Sequence, residues 1–316
     1  MTEDAVYVIN AATELLKYSR DGVLLARAGG AGDGPGEFRL GTEIGVYRDS
    51  TLSVFDRVLQ RVSIWSKDLE LISVVSLEPT PNAIMIGALP EGGVVVRGES
   101  LYFRWPPTRD TAFAVVYDAD GTIRDTLAKV PHTLSYQLRY RDTWRPGTSP
   151  FGGRAWLVSR GGEVLIASGD GGGVRIWDGA LDRMNVLAVR CERAAVSDNM
   201  IAEYVRWRTG LAEPSERAEL RRYLSEVPFA DSVPLFGDVV FADDGDIWLG
   251  DYPHYARRPQ LSNEWIVVDR NGVLREKIVV SRALRIFQVG ADFILGVTYD
   301  ELKGEAVVAF KRPLHG

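Results

Sequence analysis

One cysteine, Cys191, and three histidines are all the thiol and imidazole metal ligands in 316 residues. A single thiol excludes an intrachain disulfide and a thiolate metal cluster, and it is read as a buried, inert side chain. His132, His254 and His315 lie far apart, with no ligand spacing to other His or Cys residues, so no zinc site is expected. There is no G-x-S-x-G elbow. The glycines of 29–38 are followed by neither Lys-Ser/Thr nor a helix, which argues against a phosphate-cradling loop. Basic residues are in deficit: 37 Lys and Arg face 43 Asp and Glu, a formal charge of −6, and no nucleic-acid partner is expected.

The opening segment MTEDAVYVIN carries acidic residues and only a four-residue apolar run, so it reads as neither signal peptide nor spanning helix. The chain is expected to be soluble as written, with no direct membrane insertion. A place in the cell envelope or periplasm, peripheral to a membrane complex, stays open if the start is trimmed. Hydrophobic residues make up 46% and charged residues 25%, enough for a sizeable core and against global disorder.

What the chain has in quantity is short strands. In 52–77 three apolar, alternating runs follow one another, with a turn at Lys67 and Asp68. Related units recur. The first is 6–9, 15–18 and 23–28, with Arg20, Asp21 and Gly22 turning between its last two strands. The next are 43–47, 52–55 and 62–65, then 84–86, 94–96 and 113–117, then 155–158, 164–167 and 174–177. The last two are 238–241, 247–249 and 265–268, then 284–289, 293–297 and 306–310. Taking Asp21, Asp68, Asp120, Gly179 and Asn271 as equivalent corners gives intervals of 47, 52, 59 and 92 residues. The repeat predicts an all-β fold, a single six-bladed β-propeller over 1–316, with a helical hairpin inserted at 197–227 between blades four and five.

Ser197 and Asp198 are placed to cap the first inserted helix, whose apolar side is Ile201, Tyr204 and Val205. The second carries Leu220, Tyr223, Leu224 and Val227. The insertion is either a decorated loop or a lid or docking surface.

The corners, together with Gly32, Asp33, Gly34, Pro35, Gly36, Glu37 and Phe38, resemble the bacterial NHL-like six-bladed β-propeller family with its GxGPGEF-type loop. The resemblance implies a repeat protein of that fold and leaves function broad, since members bind proteins, bind RNA or sit in larger assemblies, and relatives of similar shape hydrolyse small molecules. Against that pattern the chain starts at what reads as a second strand and stops after a third. Two strands are then supplied by a missing preceding segment, or by another chain through strand addition at the first or sixth blade.

Three clusters of arginine and aromatic residues read as loops and as contact candidates: 102–109 with Trp105; 136–154 with Arg139, Tyr140, Arg141, Trp144 and Arg145; and 252–258 with Tyr252, Tyr255, Arg257 and Arg258. The reading is a non-catalytic binding or scaffold protein, an accessory subunit contacting other protein subunits, with no cofactor, metal or catalytic residue assigned. Its rival is a metal-dependent propeller hydrolase of the lactonase type, drawing on Glu43, Asp56, Asp238, Asp243, Asp244 and Asp251 at the channel mouth. Those carboxylates otherwise read as strand-ending turn formers.

Overall fold

The computed structural model describes residues 1–2, 4–47, 51–89, 91–100, 103–171, 173–187, 192–252, 262–280, 284–300 and 304–312. Its strands form six antiparallel sheets of three to five strands. The first sheet holds Ala5–Asn10, Glu14–Ser19 and Leu24–Gly29. The second holds Gly41–Tyr47, Thr51–Asp56, Arg61–Ser66 and Leu71–Ser76. The third is widest, with Ile84–Ala88, Val94–Ser100, Thr108–Tyr117, Ile123–Tyr140 and Thr143–Thr148. The fourth comprises Ala155–Arg160, Glu163–Ser168, Val174–Asp178 and Arg183–Leu187, and the fifth Asp238–Phe241, Ile247–Gly250, Glu264–Val268 and Leu274–Val279. The sixth returns to three: Leu284–Val289, Phe293–Asp300 and Gly304–Lys311.

From the second sheet to the sixth, each sheet's first strand packs beside the first strand of the next. Ala5–Asn10 packs beside Gly41–Tyr47. The first and sixth sheets meet where Gln288 Nε2 donates to the Met1 carbonyl at 3.3 Å and Arg20 lies 3.6 Å from Asp292. The result is a β-propeller-like ring. Its core lies in the joints between sheets: Phe55 and Val62 meet Met85, Val94 and Tyr117 across one joint, and Val116 and Ala114 meet Leu157, Ile166 and Trp177 across the next. Sheets covered on both faces explain the unbroken buried runs 52–56, 164–168 and 247–250.

The corner chemistry repeats as the sequence implies. Ser19 Oγ accepts from Val23 N, Ser66 Oγ from Glu70 N, and Asp269 Oδ1 from Val273 N, each closing the turn before an exposed outer strand. By this measure the three strands of the first sheet match strands two to four of the complete sheets. The glycine-rich loop is structural: Phe38 is buried against Trp65, with ring centres 6.1 Å apart. Arg61, which no sequence pattern singled out, donates to the carbonyls of Asp33, Gly34 and Glu37 and fastens that loop.

Candidate interaction surface

The stretch 136–154, expected as a loop, is for the most part β-structure. Strand Ile123–Tyr140 pairs with Thr108–Tyr117 as far as Ser135, then continues beyond that neighbour and pairs with Thr143–Thr148 around a turn at Arg141 and Asp142. Arg141 takes a left-handed φ of 54°, as a two-residue hairpin turn demands. Pro146 is accommodated because Thr143–Thr148 is an edge strand with no further ladder to feed. Thr108–Tyr117 likewise takes the end of the expected 102–109 loop into the sheet, leaving 103–107 outside it.

Alternation gives the hairpin two faces. Tyr136 and Leu138 are buried against Leu224 and Val227, and Tyr140 meets Tyr223 edge-on at 5.2 Å. Tyr136 lies over Gly147, its cross-strand partner, where a Cβ would come within 2.5 Å of the ring. The helices are those expected: α1 (Asp198–Gly210), capped by Ser197 Oγ accepting from Met200 N, and α2 (Arg217–Ser225). They rest on the hairpin and on an aromatic bed of Phe151, Tyr204 and Phe229, with ring centres 5.6 to 6.3 Å apart. Arg141 ties the tip to α2 through Glu219 at 2.9 Å and Glu216 at 2.8 Å. Sequence alone had given no hint of this pairing.

The other face looks away from the helices. Arg139 and Trp144 are cross-strand partners there, with Trp144 63% exposed; Arg145, the partner of Leu138, lies on the helix side instead, over the Tyr140 ring at 5.4 Å. The Arg104 carbonyl accepts from Gln137 N, bringing the 103–107 loop and its 57% exposed Trp105 to the free edge of the same hairpin. Tyr252 takes a different part: it is half-buried, 6.4 Å from Phe151, in the bed beneath the insertion. Tyr255, Arg257 and Arg258 lie outside the described residues.

Burial, with a hydrogen bond and charge interaction from Tyr223, pushes the Tyr136 hydroxyl well above the usual tyrosine range. Burial raises Tyr204 and Tyr252 as well. A raised folded pKa means stability that is complete below the unfolded value, about 10, and lost as pH rises past it. The helical insertion is therefore expected to loosen from the hairpin above about pH 10. Thermal melts followed by circular dichroism across that range check it, and Tyr136→Phe should flatten the alkaline limb.

The acidic residues considered for a metal are largely engaged by backbone. Asp56 accepts four amide protons, from Arg39, Leu40, Val58 and Leu59, and Asp251 accepts two, from Asn263 and Glu264. Among the described residues no group of three His, Cys, Asp or Glu could hold a metal ion. His132 is a buried core residue whose Nδ1 accepts from Ala155 N while Nε2 lies 3.3 Å from Glu99.

In class, then, the chain is an all-β protein of β-propeller-like build. No protein-family model matches it, and no curated protein matches its sequence. Solved structures match in shape. A putative exported protein from Bacteroides fragilis is 13% identical, with a TM-score of 0.52 over 95% of this chain and 78% of that one. A member of the DUF4221 family from Bacteroides vulgatus gives 0.48 at 9% identity, over 99% and 92% of the two chains. BamB from Moraxella catarrhalis gives 0.39 at 10% identity, over 97% and 94%. At these identities the likeness concerns fold alone. No helix among the described residues is long and apolar enough to cross a membrane.

Proposed function

We propose that this chain is a six-bladed, NHL-like β-propeller that serves as a non-catalytic binding module, an accessory subunit held to other proteins through the hairpin tip of its third sheet. One observation carries the reading. Trp65, Trp156, Trp177, Trp248 and Trp265 are each no more than 9% exposed, whereas Trp144 and Trp105 stand 63% and 57% exposed beside arginines on a braced hairpin. Trp and Arg on a rigid support are the residue types that anchor interfaces, because they bury large area at little entropic cost. The insertion acts as the brace, through Arg141 and the Tyr136–Leu224 core. The outer strand Gly304–Lys311, unpaired on one edge among the described residues and bearing exposed Val307 and Phe310, is a second point of contact, by strand addition.

The test is purification of the tagged endogenous protein from soluble and membrane fractions, with native mass determined. The expected result is a complex of defined partners that Arg139→Ala with Trp144→Ala dissolves while changing stability by less than about 1 kcal/mol. A free monomer in both fractions, or an undiminished complex in the double variant, would sink the reading.

A further inference from the structure

The first strands of the fourth, fifth and sixth sheets enclose a cavity of about 510 Å³. That size suits a small-molecule ligand. Two guanidinium groups stand in its wall, Arg154 and Arg285, both on residues that keep solvent access within the recess. Neither has an ion-pair or hydrogen-bond partner among the described residues. Instead each lies over a ring: Arg154 Cζ is 4.0 Å from the centre of Trp156, and Arg285 Cζ is 5.0 Å from that of Phe287. Asp238 shares the wall but forms no ion pair with either, its Oδ1 accepting from Val239 N. Aliphatic residues such as Val158 and Val240 share the wall with aromatic ones, of which Phe287 is 55% and Tyr299 39% exposed.

Two cations in one wall repel each other, and the one carboxylate in that wall, Asp238, offsets them in part without pairing with either. Burial lowers the Arg154 pKa and is reinforced by Arg97 and Arg285, with Asp238 opposing. Burial raises the Asp238 carboxyl, while its Val239 N–H hydrogen bond and the charges of Arg154 and Arg285 act the other way. An anion between the arginines would relieve the repulsion and fill both planar forks, and stacking on the rings pre-sets their orientation.

We propose that this cavity binds a small organic anion, a carboxylate or phosphate ester carrying an aromatic or similarly flat apolar body, with Arg154 and Arg285 taking the oxyanion and Phe287 and Tyr299 the body. The site is separate from the hairpin surface, and neither reading depends on the other.

Calorimetric titration of the intact chain with phthalate, phenyl phosphate and inorganic phosphate tests it, with neutral phthalamide as control. Phthalate or phenyl phosphate is expected to bind more tightly than inorganic phosphate, and phthalamide not at all. Arg154→Gln and Arg285→Gln should each weaken binding about tenfold to a hundredfold, the loss of a charge-assisted hydrogen-bonding pair. Each unliganded variant should melt close to the parent while showing a smaller ligand-induced rise in Tm. Arg145→Gln at the hairpin tip should leave all titrations unchanged. The proposal is overturned if no anion binds at millimolar concentration, if inorganic phosphate binds as tightly as the aromatic anions, or if both variants bind like the parent.

Discussion

Asp56→Ala is expected to destabilise the protein by about 3–4 kcal/mol, a large effect for one polar residue. The side chain is 1% exposed, and its two oxygens accept from Arg39 N at 2.7 Å, Leu40 N at 3.2 Å, and Val58 N and Leu59 N at 2.9 Å each. Two of those amides end the glycine-rich loop arriving from the first sheet, and two open the turn within the second. One carboxylate thus fixes the passage between sheets. Alanine leaves four amides without that acceptor in a place water reaches poorly. Asparagine keeps one acceptor oxygen and should cost about half as much. Urea unfolding with the slope m compared between variants measures it, and a loss below about 1 kcal/mol for alanine would show that the loop holds itself.

Trp248→Ala should cost about 3–5 kcal/mol, through lost burial and the cavity left behind. The indole is fully buried, its ring centre is 6.3 Å from that of Trp265, and Arg312 lies over it at 5.6 Å. Arg312, itself 3% exposed, pairs with the exposed Asp244 at 2.6 Å, so the indole also supports the buried end of an ion pair. Trp248→Phe keeps an aromatic wall and should lose less than half as much. The comparison to make is with Trp144→Ala, which removes the same side chain from the surface. Equal losses in thermal melts would contradict the joint-packing account.

The strands of the ring were legible because each joint is written locally, by alternating apolar residues closed by Ser, Asp or Asn at a corner. The corners at Asp21, Asp68 and Asn271 are readable without help from the rest of the chain, though the side chains that close them, Ser19, Ser66 and Asp269, emerge from the structure. The hairpin at 136–148 was not legible as strand, since Pro146 and Gly147 are loop formers in most settings. Pro146 is admitted by the edge, and Gly147 by the Tyr136 ring that covers it. The bracing of the tip joins Arg141 to Glu216 and Glu219, 75 and 78 residues away, and no local pattern encodes such a pairing. Arg154 closes the candidate stretch 136–154, but that it shares a cavity with Arg285 was not legible for the same reason. Each is an ordinary strand-flanking arginine until closure of the ring turns both toward one cavity.

Five joints of the ring are filled by apolar clusters; the joint between the first and sixth sheets is held, among the described residues, by Gln288 with Met1 and by Arg20 with Asp292 and Phe293. Mechanically, the molecule is a split washer rather than a closed hoop. Polar contacts at a surface resist separation less than packed sheets do, so this joint is the one expected to open first. The bore can widen by a small opening there without disturbing any cluster, and both sheets that flank the split have a strand edge to offer.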